Sequence, residues 1–467
     1  MLRRLRRAVP IVFSGRIDWL PPKQRPVVLI HADGFNTLTK FVSASDVVIL
    51  DPERINIFVV LKMLFSFQNS HAKYRAKFIN TVRPKAVITF IDNDVTFYSL
   101  KSLVSGAKFI SVQNGLRHNY SFNSQGGLLD QLDEVSKQVT LTCDYICVFG
   151  LASAKLFSTY INTKTLITGS IQNNFRKIST PNAITSDVVF VSQLQAFTLE
   201  GSSVKVYFGN QGITISEFFE AERQIVRALD KYCEENELRL VICGKRDQAH
   251  TYEREFFENI LQPKKPNFLI RESGSSTYDA IEATGLVVTI DSTIGYESLS
   301  IGKRVAFISG RTQTADPMGL AQVRDTNFGY PLDLSPTGKF WTNHATSAEL
   351  TRILDYLQAV TDEEWAVENA QENNALNQVT NVAVLLGSLE AVTANNFDII
   401  LANINRHILL QYMSSLFDKC ATNAHLLLSG LLVEDERIVK DAALQVGFDY
   451  QETYVLNNWI AMRFNRS

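Results

Sequence analysis

Residues 286–309, LVVTIDSTIGYESLSIGKRVAFIS, admit few structures. Five apolar or β-branched residues lead into Asp291 and a small polar turn, Ser292-Thr293-Ile294-Gly295. A short helical pattern carrying Glu297 follows, Gly302 closes it, and residues 304–309 read as a second buried strand. Strand, turn, helix and strand in this order are the repeating unit of a parallel α/β sheet. Such a turn aims backbone N–H groups, two hydroxyls and a helix N-terminus at one spot, which suits a phosphate. Glu297, one turn further on, is placed to accept the two hydroxyls of a ribose. A Ser or Thr ahead of a helix also serves as an N-cap, worth about 1 kcal/mol. A helix terminus adds only about 0.3–2 kcal/mol to anion binding, whereas micromolar affinity needs about 8 kcal/mol. Other groups must therefore converge on the same spot.

The chain supplies candidates. Between residues 26 and 170 strands read at PVVLIHA, DVVILD, KAVITFID, KFISVQNG, YICVFG and TLITGS, with helical patterns such as HAKYRAKFINTVRP between them. This is a doubly wound parallel sheet, whose ligands bind beyond the carboxyl ends of the strands. Those ends carry Asp92-Asn93-Asp94 and Gln113-Asn114-Gly115, with Arg117 and His118 just after. The polar stretch Gln172–Ser186, containing Pro181, reads as a linker. A second alternation begins at residue 187 with DVVFVSQ, LRLVICGKR, NFLIRES, LVVTIDS and RVAFIS, and ISEFFEAERQIVRALDKYCEENE reads as one long helix after the first of these. Its strand ends place Ser192, Lys245 and Arg246 around the same crevice as Asp291, Ser292, Thr293, Gly295 and Glu297, and the two cations suit a diphosphate or phosphodiester.

Composition narrows the function classes. The 467 residues are 45% hydrophobic and 20% charged, which is globular and long enough for two to four domains. A net charge of −2 gives no argument for nucleic-acid binding. Residues 361–467, however, hold 14 acidic and 6 basic residues, a net of −8, so the remainder carries +6 and two unlike parts are implied. The five cysteines show no CxxC pair or metal spacing; Cys143 and Cys147 read as core thiols, and a reducing cytoplasm fits. The longest apolar run, residues 55–67, is interrupted by Lys62 and too short to span a bilayer. Four arginines among the first seven residues offer peripheral contact with anionic lipid at the inner face of a membrane, or simply a solvated tail.

Two Rossmann-like domains (1–172 and 187–360) with polar strand ends facing each other make the GT-B layout, acceptor on the first domain and donor nucleotide on the second. VITFIDND, FISVQNGLRH, ITGSIQNN, VVFVSQ and above all TIDSTIGYESLSIGKRVAFIS resemble bacterial surface carbohydrate biosynthesis proteins over roughly residues 20–360. These are GT-B-like and distantly similar to Kdo-, sialic-acid- and glycerophosphate-transferring enzymes of capsule and lipopolysaccharide assembly. The resemblance implies sugar transfer from a nucleotide-activated donor, a CMP-linked sugar among the candidates, to a glycan or lipid-linked glycan. Ser292, Thr293 and Gly295 would hold phosphate and Glu297 the ribose. Asp92 or Asp94 would be the general base, with His118 as rival, and Gln113, Asn114 and Arg117 would lie on the acceptor side. Although Asp92-Asn93-Asp94 has DxD spacing, the resemblance implies no bound metal.

From about residue 361 the pattern changes. EEWAVENAQENNALNQVTNVAVLLGS, FDIILANINRHILLQYM, AHLLLSGLL and NNWIAMRFNR read helix–strand–strand–helix–strand–helix–strand–strand. A parallel sheet ending in an antiparallel pair is the back half of a class I methyltransferase, and the segment resembles the C-terminal part of the ribosomal protein L-eleven methyltransferase. Asn403-Ile404-Asn405 matches where that family contacts the methyl donor and target amine, and Leu428-Ser429-Gly430 and Asn458-Trp459 also match. No upstream Gly-rich turn supplies the S-adenosylmethionine site, and Thr361 stands where the family has its ribose-binding Asp. The expected junction lies near Asp362, with TDEEW as the join. Protein lysine methylation by a truncated tail is thus the rival activity, needing S-adenosylmethionine, and a non-catalytic sugar- or nucleotide-binding scaffold is the third reading.

Overall fold

The computed structural model describes residues 16–64, 70–117, 120–122, 127–176, 186–194, 204–208, 211–245, 251–269, 277–282, 284–309, 335–376 and 379–467. It divides into two compact units, Met1–Val382 and Ala383–Ser467.

The first unit holds two six-stranded parallel sheets. Across the first, the order is Val47–Leu50, Val27–Ile30, Ala86–Thr89, Lys108–Val112, Leu141–Val148 and Ile161–Ile167. Numbered along the chain this is 2-1-3-4-5-6, so winding reverses between Val27–Ile30 and Ala86–Thr89. Strands here read as unbroken apolar runs because both faces are covered. Val28, Ile30 and Val87 enter one core with Phe109 and Ile146, while Val27, Leu29 and Ile88 enter another with Phe90 and Leu38. Each such side chain contributes about 1.5–3 kcal/mol on burial.

The second sheet runs Asn267–Phe268, Arg239–Cys243, Asp187–Val191, Leu286–Thr289, Arg304–Ile308 and Trp341–Thr342. Its chain order is 3-2-1-4-5-6, reversing between Asp187–Val191 and Leu286–Thr289. The turn expected after Ile290 leads into helix Thr293–Ser300. That helix lies close to its own sheet: a Cβ on Gly295 would sit 2.5 Å from Thr289 Cγ2 and 3.2 Å from Phe307 Cε1. Gly295→Ala is therefore expected to destabilise the fold by about 1–3 kcal/mol through overpacking, read as a lower thermal midpoint.

Three features depart from the sequence reading. The single long helix is two, Ile215–Phe218 and Glu220–Glu235, because adjacent Phe218 and Phe219 both enter the core, their rings 5.1 Å apart. Second, an antiparallel hairpin, Lys205–Phe208 with Gln211–Thr214, precedes these helices and accepts Tyr120–Ser121 from the first half as its third strand. Third, the linker begins docked: Ile171–Phe175 forms a short turn, and Asn173 Nδ2 donates to Glu297 O at 2.9 Å. Residues 177–185 of that stretch lie outside the described residues.

The expected junction at residue 361 also falls differently from the boundary between units. Thr361 and Glu364 form a reciprocal cap, Glu364 N donating to Thr361 Oγ1 at 3.2 Å and Thr361 N to Glu364 Oε2 at 3.0 Å. The helix they start, Asp362–Leu376, packs on the second sheet's core. Trp365 is buried, with Nε1 donating to Gly302 O at 2.9 Å, and Arg304 pairs with Asp362 at 2.7 Å.

The second unit is a four-stranded sheet in the order Phe397–Asn403, Cys420–Leu432, Trp459–Arg466 and Phe448–Leu456. The first pair is parallel and the other two are antiparallel, as expected. Helices Arg406–Lys419 and Glu436–Val446 cover it. The strand expected at NVAVLLGS does not form; Leu385 and Leu386 lie at least half exposed in irregular chain. Leu401 and Leu456 are also more than 70% exposed.

Candidate active site

The carboxyl ends of the two parallel sheets meet through a small set of bonds. Leu116 N, in the turn after Lys108–Val112, donates to Thr293 Oγ1 at 2.9 Å. Tyr120 Oη donates to Asp291 Oδ2 at 3.1 Å, and Ser170 Oγ to Glu297 Oε1 at 2.6 Å. Each bond joins a strand end of the first half to the turn–helix segment 291–297. Facing strand ends in two Rossmann-like halves are the GT-B arrangement.

On the second half, Ser292 is the N-cap of helix Thr293–Ser300, but its side chain makes no capping bond. The hydroxyl is thus not consumed by the helix end. Thr293 is spoken for across the crevice, and Gly295 serves close packing. Glu297 is buried, its second oxygen accepting from Tyr278 Oη at 2.8 Å. Burial pushes its carboxyl up, opposed by the Ser170 and Tyr278 hydroxyls and the Arg176 charge. A ribose reaching Glu297 must displace these two hydroxyls or share the carboxylate with them. Ser192 is buried against Glu253, and Lys245 is exposed with its amide on the same carboxylate at 3.1 Å. Arg246 and His118 lie outside the described residues.

On the first half, Asp92 and Asp94 have unlike partners. Asp92 is fully buried; Arg117 grips both of its oxygens, Nε at 2.8 Å, and Asn114 N donates at 3.1 Å. Arg117 also binds Asn114 Oδ1. Gln113 is buried, its Nε2 donating to Gly115 O at 3.0 Å and its Oε1 accepting from Phe149 N at 2.9 Å. These residues fix the 113–117 turn that reaches Thr293. Asp94 instead caps helix Val95–Leu100 through Thr96 N at 3.1 Å and binds Arg75 and His31 Nε2, the latter at 3.4 Å. Burial opposes ionisation of Asp94, but His31 and Arg75 outweigh it and bring the carboxyl to about 2.

His31 is the residue the sequence reading missed. It follows Val27–Ile30 in a left-handed backbone conformation, φ 66°, which is unusual outside glycine. Its neighbour across the sheet's reversal is Ala86–Thr89, the strand that leads to Asp94. The signal lay in strand order: a 2-1-3 sheet makes the first and third strand ends adjacent, and each carries one member of the pair.

In the second unit, Asn405 Oδ1 caps helix Arg406–Lys419 through Ile408 N at 3.1 Å. Asn403 ends the Phe397–Asn403 strand opposite Ser429, and a Cβ on Gly430 would lie 2.4 Å from Asn403 Oδ1.

Comparison with known proteins finds two family matches, which overlap at residues 355–381. A family model described as "putative O-antigen biosynthesis protein" matches residues 110–381, more than half of the chain. The chain belongs to that family. A second model, ribosomal protein L11 methyltransferase (PrmA), matches residues 355–467. Curated L11 methyltransferases are similar to part of the chain: that of Porphyromonas gingivalis is 31% identical over 173 residues, 36% of this chain and 57% of the relative. That of Chlorobaculum parvum is 38% identical over 101 residues, 21% and 35% respectively. The chain thus spans at most about half to three-fifths of these relatives' length. Among solved structures the likeness is loose. The wall teichoic acid polymerase TagF aligns at 8% identity over 77% of this chain and 91% of its own, with a TM-score of 0.39. A glycosyltransferase from Rickettsia africae aligns at 10% identity over 77% and 100%, with a TM-score of 0.37.

Proposed function

We propose that the chain is a GT-B glycosyltransferase that moves a sugar from a nucleotide-activated donor to a hydroxyl of a growing O-antigen-type surface glycan. The observation that carries the reading is the bond from Leu116 N to Thr293 Oγ1, which holds the amino end of helix Thr293–Ser300 against the turn anchored by Asp92. A donor phosphate at that helix end would face the first half, where His31 and Asp94 stand. The helix dipole, the Ser292 hydroxyl and Lys245 would stabilise negative charge on the departing phosphate. Glu297 would take the ribose. An acceptor hydroxyl would lose its proton to His31, whose Nε2–H is held by ionised Asp94 so that Nδ1 carries the lone pair. Asp92, with both oxygens committed to Arg117, would position rather than catalyse.

Calorimetric titration with CMP, CDP and UDP tests the donor site. Ser292→Ala and Glu297→Gln are expected to weaken binding of the preferred nucleotide about tenfold or more, since a bond to a charged group is worth about 1.5–3 kcal/mol. Unchanged affinity in both would remove the nucleotide from this crevice. Methyl transfer by the segment from about residue 361 to 467 is the second reading, favoured by the PrmA match over residues 355–467 and by the L11 methyltransferase relatives. S-Adenosylmethionine belongs in the same titration, and heat on its addition would support that reading. The proposed site of action is the cytoplasmic side of a membrane carrying the glycan; no helix among the described residues is long and apolar enough to cross one.

A further inference from the structure

Helix Thr251–Leu261 begins with a carboxylate that the donor reading leaves unused. Glu253 is fully buried. Its Oε1 accepts from Ser192 Oγ at 2.7 Å and from Lys245 N at 3.1 Å. Those donors stand just beyond Asp187–Val191 and Arg239–Cys243, neighbouring strands beside the sheet's reversal point. Its Oε2 is equally buried and has no hydrogen-bond partner among the described residues.

A clasp between two strand ends needs only one acceptor oxygen. A glutamine would supply that oxygen without burying a charge, and burying a charge is costly unless its bonding capacity is filled. The chain instead keeps a carboxylate with one oxygen filled and one buried without a partner among the described residues. An anion at this position repels phosphate, so its complement is a neutral group that donates a polar hydrogen. Among the parts of a nucleotide sugar, such hydrogens belong to the nucleoside, as ribose hydroxyls or a base amine.

We propose that Glu253 Oε2 accepts a hydroxyl or amino hydrogen from the nucleoside of the bound donor, making the Ser192–Glu253–Lys245 junction a nucleoside-recognition point. The inference rests on the donor site proposed above. It sets an orientation, with the base toward the Asp187–Val191 and Arg239–Cys243 strand ends, the ribose between Glu253 and Glu297, and the phosphates at the amino end of helix Thr293–Ser300.

The test is calorimetric titration of the full chain, wild type and Glu253→Gln, with CDP, UDP, 2′-deoxy-CDP and 3′-deoxy-CDP. Glu253→Gln is expected to bind the preferred nucleotide at least tenfold more weakly, with thermal unfolding reporting an intact fold. The source of the hydrogen follows from which preference disappears. Loss of discrimination between CDP and UDP identifies the base amine, and loss of discrimination between ribo and deoxy forms identifies a ribose hydroxyl. Equal affinities for wild type and folded Glu253→Gln overturn the proposal and leave the donor site standing. Failure of folded wild type to bind any nucleotide removes both. If Glu253→Gln does not fold, the same series in Glu297→Gln decides, because the ribose contact proposed for Glu297 is then gone. A tenfold loss on removing one donor group in that background supports the proposal, and losses all below twofold overturn it.

Discussion

His31→Asn is expected to slow sugar transfer about 10²–10⁴-fold, the usual contribution of a positioned general base, while changing nucleotide affinity less than twofold. His31 belongs to the first half, and the proposed phosphate and ribose contacts belong to the second. Its left-handed backbone favours Asn among possible replacements, which keeps the variant folded. Asp94 orients the ring from 3.4 Å, and with its carboxyl at about 2 it stays ionised through any working pH. Asp94 is therefore not the group whose titration would shape a rate profile between pH 5 and 8. The linkage sign agrees: a carboxylate depressed in the fold adds stability above its ordinary value, near 3.8, and loses it as pH falls through about 2. Single-turnover transfer with a donor the wild type accepts gives the rate, and calorimetry gives the affinity. An unaltered rate in His31→Asn would move the base elsewhere.

The second large effect is on stability. Asp92→Ala is expected to cost about 3–5 kcal/mol, the penalty for breaking a buried ion pair by removing one partner. Arg117 would keep its charge near the crevice with only Asn114 Oδ1 as a described partner. Asn114 N would lose its acceptor as well. Chemical denaturation measures the loss. The double variant Asp92→Asn/Arg117→Met is expected to recover part of it, because it removes the stranded charge. If Asp92→Ala unfolds like the wild type but fails in transfer, the carboxylate is chemical after all.

What the sequence made legible follows from the physics of parallel sheets. Their strands are buried on both faces, so VVLI, VVFV and LVVT read as apolar runs, and polar residues after them mark the crevice. Short elements were not legible. Trp341–Thr342 has two residues, and Tyr120–Ser121 is a strand only because Lys205–Phe208 lies beside it. Adjacency of strand ends was also hidden: His31 and Asp94 are 63 residues apart and meet through sheet order. Asn173, at the head of a polar stretch that resembled a tether, and Ser170, at the end of the TLITGS strand, instead dock on helix Thr293–Ser300. Glu253 resembled any acidic residue favoured at a helix start. TDEEW, expected as the join, also forms a capping box that starts a helix with Trp365 buried.

The strand that Tyr120–Ser121 lends to Lys205–Phe208 bears on how a ligand gets in. Separating the halves means unzipping that ladder and also breaking Leu116–Thr293, Tyr120–Asp291 and Ser170–Glu297. At about 1 kcal/mol net for each of these three bonds, and before the ladder is counted, an open form would be rarer than the closed by at least roughly a hundredfold. Any substrate that enters only the open form then binds weaker by that same factor. Under the proposed donor reading, Glu297 would give the donor a way to recover it: a ribose that took over the carboxylate from Ser170 would remove one latch as it bound. The latch strength, more than the fit of the nucleotide, would then set the ligand concentration at which the crevice fills.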